Sequence, residues 1–82
     1  MFKKKDKKRE ESSIEVRVAR TGSKVQEVVL NGNRTVADAL TAAGLSKKES
    51  EDIHVNGEEA DEDYELEDGD RVVLVKNIAG GN

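Results

Sequence analysis

Alternation of apolar and polar residues predicts a β-hairpin near the start of the chain. Residues 14–20 alternate between an inward face and an outward face, namely Ile14, Val16 and Val18 against Glu15, Arg17 and Ala19. This period of two is typical of a half-buried strand. Residues 21–24 contain a glycine and have the length of a hairpin loop. Residues 25–30 then return as a second strand, with Val28 and Leu30 toward the core.

A helical period follows the hairpin. Four apolar residues fall at i, i+3, i+4 and i+7, which places them on one face of a helix: Val36, Ala39, Leu40 and Ala43. Thr35 and Asp38 have the spacing of a capping box, and Gly44 is a suitable C-terminal stop. We expect a helix of about ten residues, which is too short to be stable alone. It must therefore pack across the hairpin.

The next segments are shorter and more polar. Residues 53–55 predict a short strand, and Asn56-Gly57 is a strong signal for a two-residue turn. The acidic stretch that follows has no usable period. Within this stretch we expect Tyr64 and Leu66 to pack at the edge of the core, because they are the large apolar side chains of the stretch.

The last segment contains a turn, a strand and a narrow tail. Asp68-Gly69-Asp70 supplies a position for positive φ and side-chain acceptors, as a turn requires. The apolar run 72–75 predicts a strand that is buried at least partly on both faces. Beyond it come Gly80, Gly81 and Asn82. A diglycine without Cβ atoms could enter a slot in another protein that no larger residue could pass.

A β-strand that leads into Gly-Gly after an Asp-Gly-Asp turn resembles the ubiquitin-like β-grasp family. It is most similar to the prokaryotic sulfur carriers of thiamine and molybdopterin synthesis and to the small archaeal and bacterial ubiquitin-like modifiers. The resemblance covers residues 14–81 and implies an α+β fold, a mixed four- or five-stranded sheet with one helix packed across it. It also implies that the first and last strands pair in parallel. Asn82 departs from the family, whose active members end on the second glycine.

Composition divides the chain into three expected parts: a disordered basic arm at 1–13, a β-grasp domain at 14–78 and a flexible diglycine tail at 79–82. The arm has six Lys/Arg and three acidic residues, so residues 14–82 have a net charge of −7. Such an acidic body would repel phosphate, which argues against a role in nucleic-acid binding. No apolar run approaches the ~20 residues of a membrane span. We expect a cytoplasmic monomer without a membrane partner.

Candidate chemistry within the chain is sparse. Six carboxylates suggest calcium, but their loop lacks the glycine and the flanking helices of an EF-hand: Asp61, Asp63, Glu65, Glu67, Asp68 and Asp70. We therefore expect no metal and no cofactor. There is no cysteine, and His54 has no serine or second histidine at a useful spacing, so we interpret it as a surface residue of a strand. The chain is not expected to be an enzyme.

The resemblance implies a specific role for the tail. An ATP-dependent activating enzyme would adenylate the carboxylate of Gly81, and Gly80 would provide steric clearance. A processing peptidase would first remove Asn82. The activated tail would then become a thiocarboxylate for a sulfur-accepting enzyme or an isopeptide on target lysines, and the sequence leaves both open.

Two alternatives belong to other classes. The first is a non-covalent interaction module of the same fold with an inactive tail, which would dock through an apolar patch of Val73, Val75 and Ile78. These side chains could equally pack against neighbouring strands. The second is a nucleic-acid-associated protein that uses the basic arm, which the acidic body disfavours.

Overall fold

The computed structural model describes residues 13–77, in which one helix packs against a mixed five-stranded sheet. In chain order the elements are β1 (Ser13–Arg20), β2 (Gln26–Asn31), α1 (Val36–Ala43), β3 (Glu51–Val55), β4 (Glu58–Ala60) and β5 (Arg71–Lys76). The strands lie in the order β2-β1-β5-β3-β4. The predictions for residues 1–12 and 78–82 fall outside the described residues.

The last strand, β5, lies in the middle of this sheet. It pairs in parallel with β1, in a register that joins Arg17 to Arg71 and Arg20 to Leu74. On its other side it pairs antiparallel with β3. The predicted parallel pairing of the first and last strands is confirmed. Because β5 has a neighbour on each side, the chain that continues from it starts from a central position rather than from a free edge.

The core lies between the helix and one face of the sheet. Its buried members are Ile14, Val16, Val18, Leu30, Val36, Ala39, Leu40, Ile53, Val55, Leu66, Val72 and Leu74. The predicted inward residues of β1 and the predicted stripe of the helix account for half of this set, and Val28 and Ala43 pack against its margin. The alternation seen in the sequence therefore identified the buried faces correctly.

The capping box of α1 is present as predicted. The backbone N–H of Asp38 donates to Oγ1 of Thr35, and the backbone N–H of Thr35 donates to the carboxylate of Asp38. Gly44 ends the helix with a φ of 76°, in the left-handed region. The helix has eight residues rather than about ten. It begins at Val36 because Thr35, the N-cap, has an extended backbone.

The acidic segment after β4 completes the N-terminus of the helix. The backbone N–H of Val36 donates to the carbonyl of Tyr64, and that of Ala37 donates to the carbonyl of Glu62. These bonds satisfy N–H groups that a helix leaves unpaired at its start. An irregular segment is held in place here by backbone bonds.

Two expectations about individual residues need correction, and one strand was missed. The prediction that Tyr64 packs into the edge of the core is wrong, because the residue is 47% exposed while its backbone is bonded to the helix. Of the two residues predicted there, only Leu66 is buried. Ala19 lies on the outer face of β1 but is buried, because its methyl group lies beside the longer Val73 of β5. The short strand β4 was not predicted, since its sequence is acidic and lacks alternation.

Candidate functional site

The candidate site is the end of the sheet at which β5 finishes. β5 ends at Lys76, and Asn77 is the last residue that the structure describes. The predicted activation residues Gly80 and Gly81, the predicted processing residue Asn82 and the predicted contact residue Ile78 lie outside the described residues. What the structure provides is the base from which they continue.

Hydrogen bonds hold this base from both sides. On the β1 side, the carbonyl of Leu74 accepts from the backbone N–H of Thr21 at 3.0 Å and from its hydroxyl at 3.1 Å. On the β3 side, the backbone N–H of Asn77 donates to the carbonyl of Ser50. The side-chain amide of Asn77 also donates to Asp52 at 3.4 Å. The chain is therefore fixed up to Asn77.

An ion pair between Arg20 and Glu51 crosses this end of the sheet. Nε of Arg20 donates to Oε2 of Glu51 at 2.7 Å, and Nη2 donates to Oε1 at 3.3 Å. Nη2 also donates to the carbonyl of Ser46 at 2.6 Å, and the backbone N–H of Lys48 donates to Oε1 of Glu51 at 2.9 Å. The hydrogen bonds from Arg20 first, and then from Lys48, hold the pKa of Glu51 below its usual value.

Sequence reasoning did not identify Arg20 or Glu51. A signal was nevertheless available, because each continues the inward alternation of its strand. Arg20 follows Val16 and Val18 on β1, and Glu51 precedes Ile53 on β3. A charged residue at an inward position needs a partner. The partner could not be named from the sequence, because it depends on the order of the strands.

A cleft of about 250 Å³ lies at the same end of the sheet. Its lining combines the ion pair with residues of the adjoining strands and loop: Arg20, Thr21, Lys48, Ser50, Glu51 and Lys76. Lys48 and Lys76 give this cleft a basic rim beside the departing chain. It is a surface that an acidic partner could contact.

The predicted contact residues Val73 and Val75 lie on the face of the sheet opposite the helix. Both are half-buried. In the registers of the sheet, Val73 lies between Ala19 of β1 and His54 of β3, and Val75 lies beside Asp52. The two valines are thus partly covered by neighbouring strands and partly available, and His54 is a strand residue of this same face.

Two of the carboxylates that suggested calcium instead accept hydrogen bonds from backbone N–H groups, one from β1 and one from within their own turn. Asp68 accepts from the backbone N–H of Glu15 at 2.8 Å, and Asp70 accepts from that of Glu67 at 2.8 Å. Gly69 between them has a φ of 90°, as the Asp-Gly-Asp pattern predicted. Within residues 13–77, no group of three or more His, Cys, Asp or Glu residues is arranged to hold a metal ion.

The fold and the site together define a class of protein. One helix on a mixed five-stranded sheet, with a parallel pairing of its first and last strands, is the ubiquitin-like β-grasp architecture. A comparison with known protein families matches residues 14–81 to the ThiS family, and the chain belongs to that family. No curated protein matches the chain. Among the described residues, no helix is long and apolar enough to cross a membrane.

Membership of this family settles the general role. ThiS family proteins are small sulfur carriers and not catalysts, so the chain is not an enzyme. Proteins of the family work with activating enzymes and with sulfur-accepting enzymes. The match reaches residue 81, which is the second glycine of the diglycine.

Proposed function

We propose that this protein carries sulfur as a thiocarboxylate on Gly81, after activation of that residue by an ATP-dependent enzyme. The observation that supports the proposal most directly is the family match, which extends from β1 to Gly81. The position of β5 adds a structural reason. A rigid, centrally paired strand ends five residues before Gly81, so the body can be held by a partner while the tail reaches into a reaction centre.

The proposed chemistry begins with a free carboxylate. Asn82 follows Gly81 in the sequence, so the carboxyl group of Gly81 is engaged in a peptide bond until a peptidase cleaves after it. The freed carboxylate attacks the α-phosphorus of ATP and releases pyrophosphate. A sulfur nucleophile at the oxidation level of hydrosulfide then displaces AMP from the acyl-adenylate. The product is the thiocarboxylate, which a sulfur-accepting enzyme consumes.

The length of the tail limits where this reaction takes place. Gly81 lies four positions beyond Asn77, and a fully extended chain over four residue steps spans at most about 14 Å. The activating enzyme must therefore approach the end of the sheet that contains the basic cleft. Gly80 and Gly81 have no Cβ, which would let them pass a channel too narrow for any other residue.

The half-buried valines of the outer face are proposed as part of the recognition surface. Val73 and Val75 lie on the strand that leads to the tail, and Ile78 follows in the sequence. A partner that covers this face is thereby also aligned with the tail. Replacing both valines by threonine keeps their shape and β-branching while making the face polar, so weaker binding is expected, together with a modest loss of stability because both side chains are half-buried.

The decisive experiment compares a form that ends at Gly81 with a form that continues through Asn82. Each is mixed with ATP and an activating enzyme from the same source, and pyrophosphate exchange is measured. The Gly81-ended form should support exchange, and the longer form should not. Gly81→Ala in the shortened form is the matched control, which keeps the free carboxylate and adds only one methyl group.

Addition of a sulfur donor then separates carrier from modifier. Intact mass should increase by the difference between one sulfur and one oxygen atom. An amide bond to a lysine of another protein, with no thiocarboxylate, would favour the modifier instead. Negligible exchange from both the Gly81-ended and the longer form would favour a non-covalent interaction module.

A further inference from the structure

The ion pair of Arg20 and Glu51 lies across the strand that leads to the tail. Arg20 is on β1 and Glu51 is on β3, and β5 lies between these strands. In register, Arg20 is opposite Leu74 and Glu51 is opposite Lys76. The two side chains therefore join the neighbours of β5 at its last residues, on the face that points toward the helix.

The same ion pair also holds the loop beside the tail. Arg20 donates to the carbonyl of Ser46, and Glu51 accepts from the backbone N–H of Lys48. These contacts fix residues 46–50 against the sheet. The carbonyl of Ser50, at the end of this loop, accepts the backbone N–H of Asn77. A continuous set of contacts thus leads from the ion pair to the last described residue.

Stability alone does not account for this arrangement. The side chain of Glu51 is 8% exposed and that of Arg20 is 24% exposed, so both charges lose much of their hydration on folding. Desolvation offsets most of the attraction in such a pair, and apolar residues of similar volume often stabilise a fold equally well. What an apolar pair could not provide is the fixed geometry of two charged groups that are each bonded to a particular backbone atom of the loop.

We propose that Arg20 and Glu51 are positioning residues for the activation of Gly81. This clamp, the ion pair with its bonds to Ser46 and Lys48, holds the carboxyl end of β5 and the adjoining loop, and so fixes Asn77, from which the chain continues to Gly81. This inference rests on the proposed function. With the clamp intact, an enzyme that binds the body meets Asn77 at a fixed position. Without it, the position of Asn77 varies and Gly81 is delivered to the reaction centre less often.

The test uses two variants that alter the clamp without removing its bulk. Glu51→Gln keeps the size of the side chain and removes its charge, and Arg20→Lys keeps the charge but cannot reach both Glu51 and Ser46 in the same way. The matched control is Glu27→Gln. It disrupts the ion pair between Arg17 and Glu27, which also starts from β1 but is more than half exposed and remote from the tail.

The first measurement is hydrogen exchange of single backbone amides in the full-length chain. In both clamp variants the amide of Asn77 should exchange about tenfold faster than in wild type, because local opening sets its protection. The amide of Leu66, which donates to the carbonyl of Arg34 at 2.7 Å, reports on the rest of the fold and should not change. Wild-type protection of the Asn77 amide in both variants would refute the proposal that the ion pair holds the end of β5.

The second measurement is pyrophosphate exchange by the Gly81-ended forms. We expect kcat to fall roughly tenfold while the KM for the carrier stays within about twofold, since misplacement of a reacting group by 1 Å can cost on the order of 100-fold. A purely structural role would leave kcat unchanged for the folded fraction. Unchanged kcat in both variants would refute the positioning role. No pyrophosphate exchange by the wild type would refute the proposed function, and with it the kinetic part of this inference. Hydrogen exchange at the amide of Asn77 would still decide whether the clamp exists.

Discussion

The packing of the sheet against the helix can be tested by making the same substitution at a buried and an exposed valine. Val16 is fully buried on β1, opposite Val28 of the neighbouring strand, whereas Val29 on β2 is 58% exposed. Val→Ala lowers strand propensity at both positions. The difference between the two variants therefore measures burial, with the effect of propensity largely removed.

The magnitude follows from the groups removed. Two buried methyl groups contribute about 1.6 kcal/mol of transfer free energy, at about 0.8 kcal/mol each. A cavity on the order of 50 Å³ adds up to about 1.2 kcal/mol if the core does not relax. Because Val29 is partly buried, its own loss is roughly 0.6 kcal/mol on the same scale. Val16→Ala should therefore be less stable than Val29→Ala by about 1–2 kcal/mol.

Urea unfolding followed by circular dichroism measures this difference directly. In thermal unfolding the two midpoints should differ by about 4–16 °C, given about 4–8 °C per kcal/mol for a domain of this size. The slope of the urea transition should be the same in both variants, which shows that the same surface is exposed on unfolding. Equal stability of the two variants, or a larger loss at Val29, would refute the assignment of Val16 to the core.

Three further predictions follow from local features and from charge. Thr35→Ala removes the acceptor of the capping box and should destabilise the protein by about 0.5–2 kcal/mol in urea unfolding, whereas Thr41→Ala within the same helix should have a much smaller effect. The hydrogen bonds of Glu51 lower its folded pKa, so its carboxylate stabilises the protein above its unfolded pKa of about 4.3, and this stabilisation is lost as the pH falls through the folded pKa. In urea unfolding from neutral to acid pH, the stability of Glu51→Gln should therefore fall less steeply than that of wild type. An identical fall in stability at acid pH would contradict the role of that carboxylate. Deletion of residues 1–12 should leave the thermal midpoint within about 2 °C of wild type, and a large decrease would mean that the arm packs on the body.

The central position of β5 suits the proposed carrier function. Proteins of the family work with activating enzymes and with sulfur-accepting enzymes, and in the proposed function this chain presents its C-terminal end to each in turn. A terminal strand at the edge of the sheet could fray on each transfer. β5 is paired on both sides instead, and the contacts of Thr21 and Asn77 extend that support to its end.

Features that depend on neighbouring residues were predictable from the sequence. The capping box at Thr35 and the left-handed stop at Gly44 arise from contacts within a few residues, and the inward face of β1 is marked by the alternation of its own residues. The turn at Asn56-Gly57 is of the same kind, with positive φ at both residues. The parallel pairing of β1 with β5 was expected from a family resemblance rather than from any local signal.

Only the tertiary structure decided which distant residues meet. Arg20 and Glu51 are 31 positions apart, and they meet because β1 and β3 lie on either side of β5. Tyr64 remains outside the core because its backbone carbonyl is already bonded to the start of the helix, which fixes the chain there whatever its side chain prefers. Alternation assigns a residue to a face of its strand. It does not determine which residue of another strand lies opposite, because that depends on the order and register of all five strands in the described sheet.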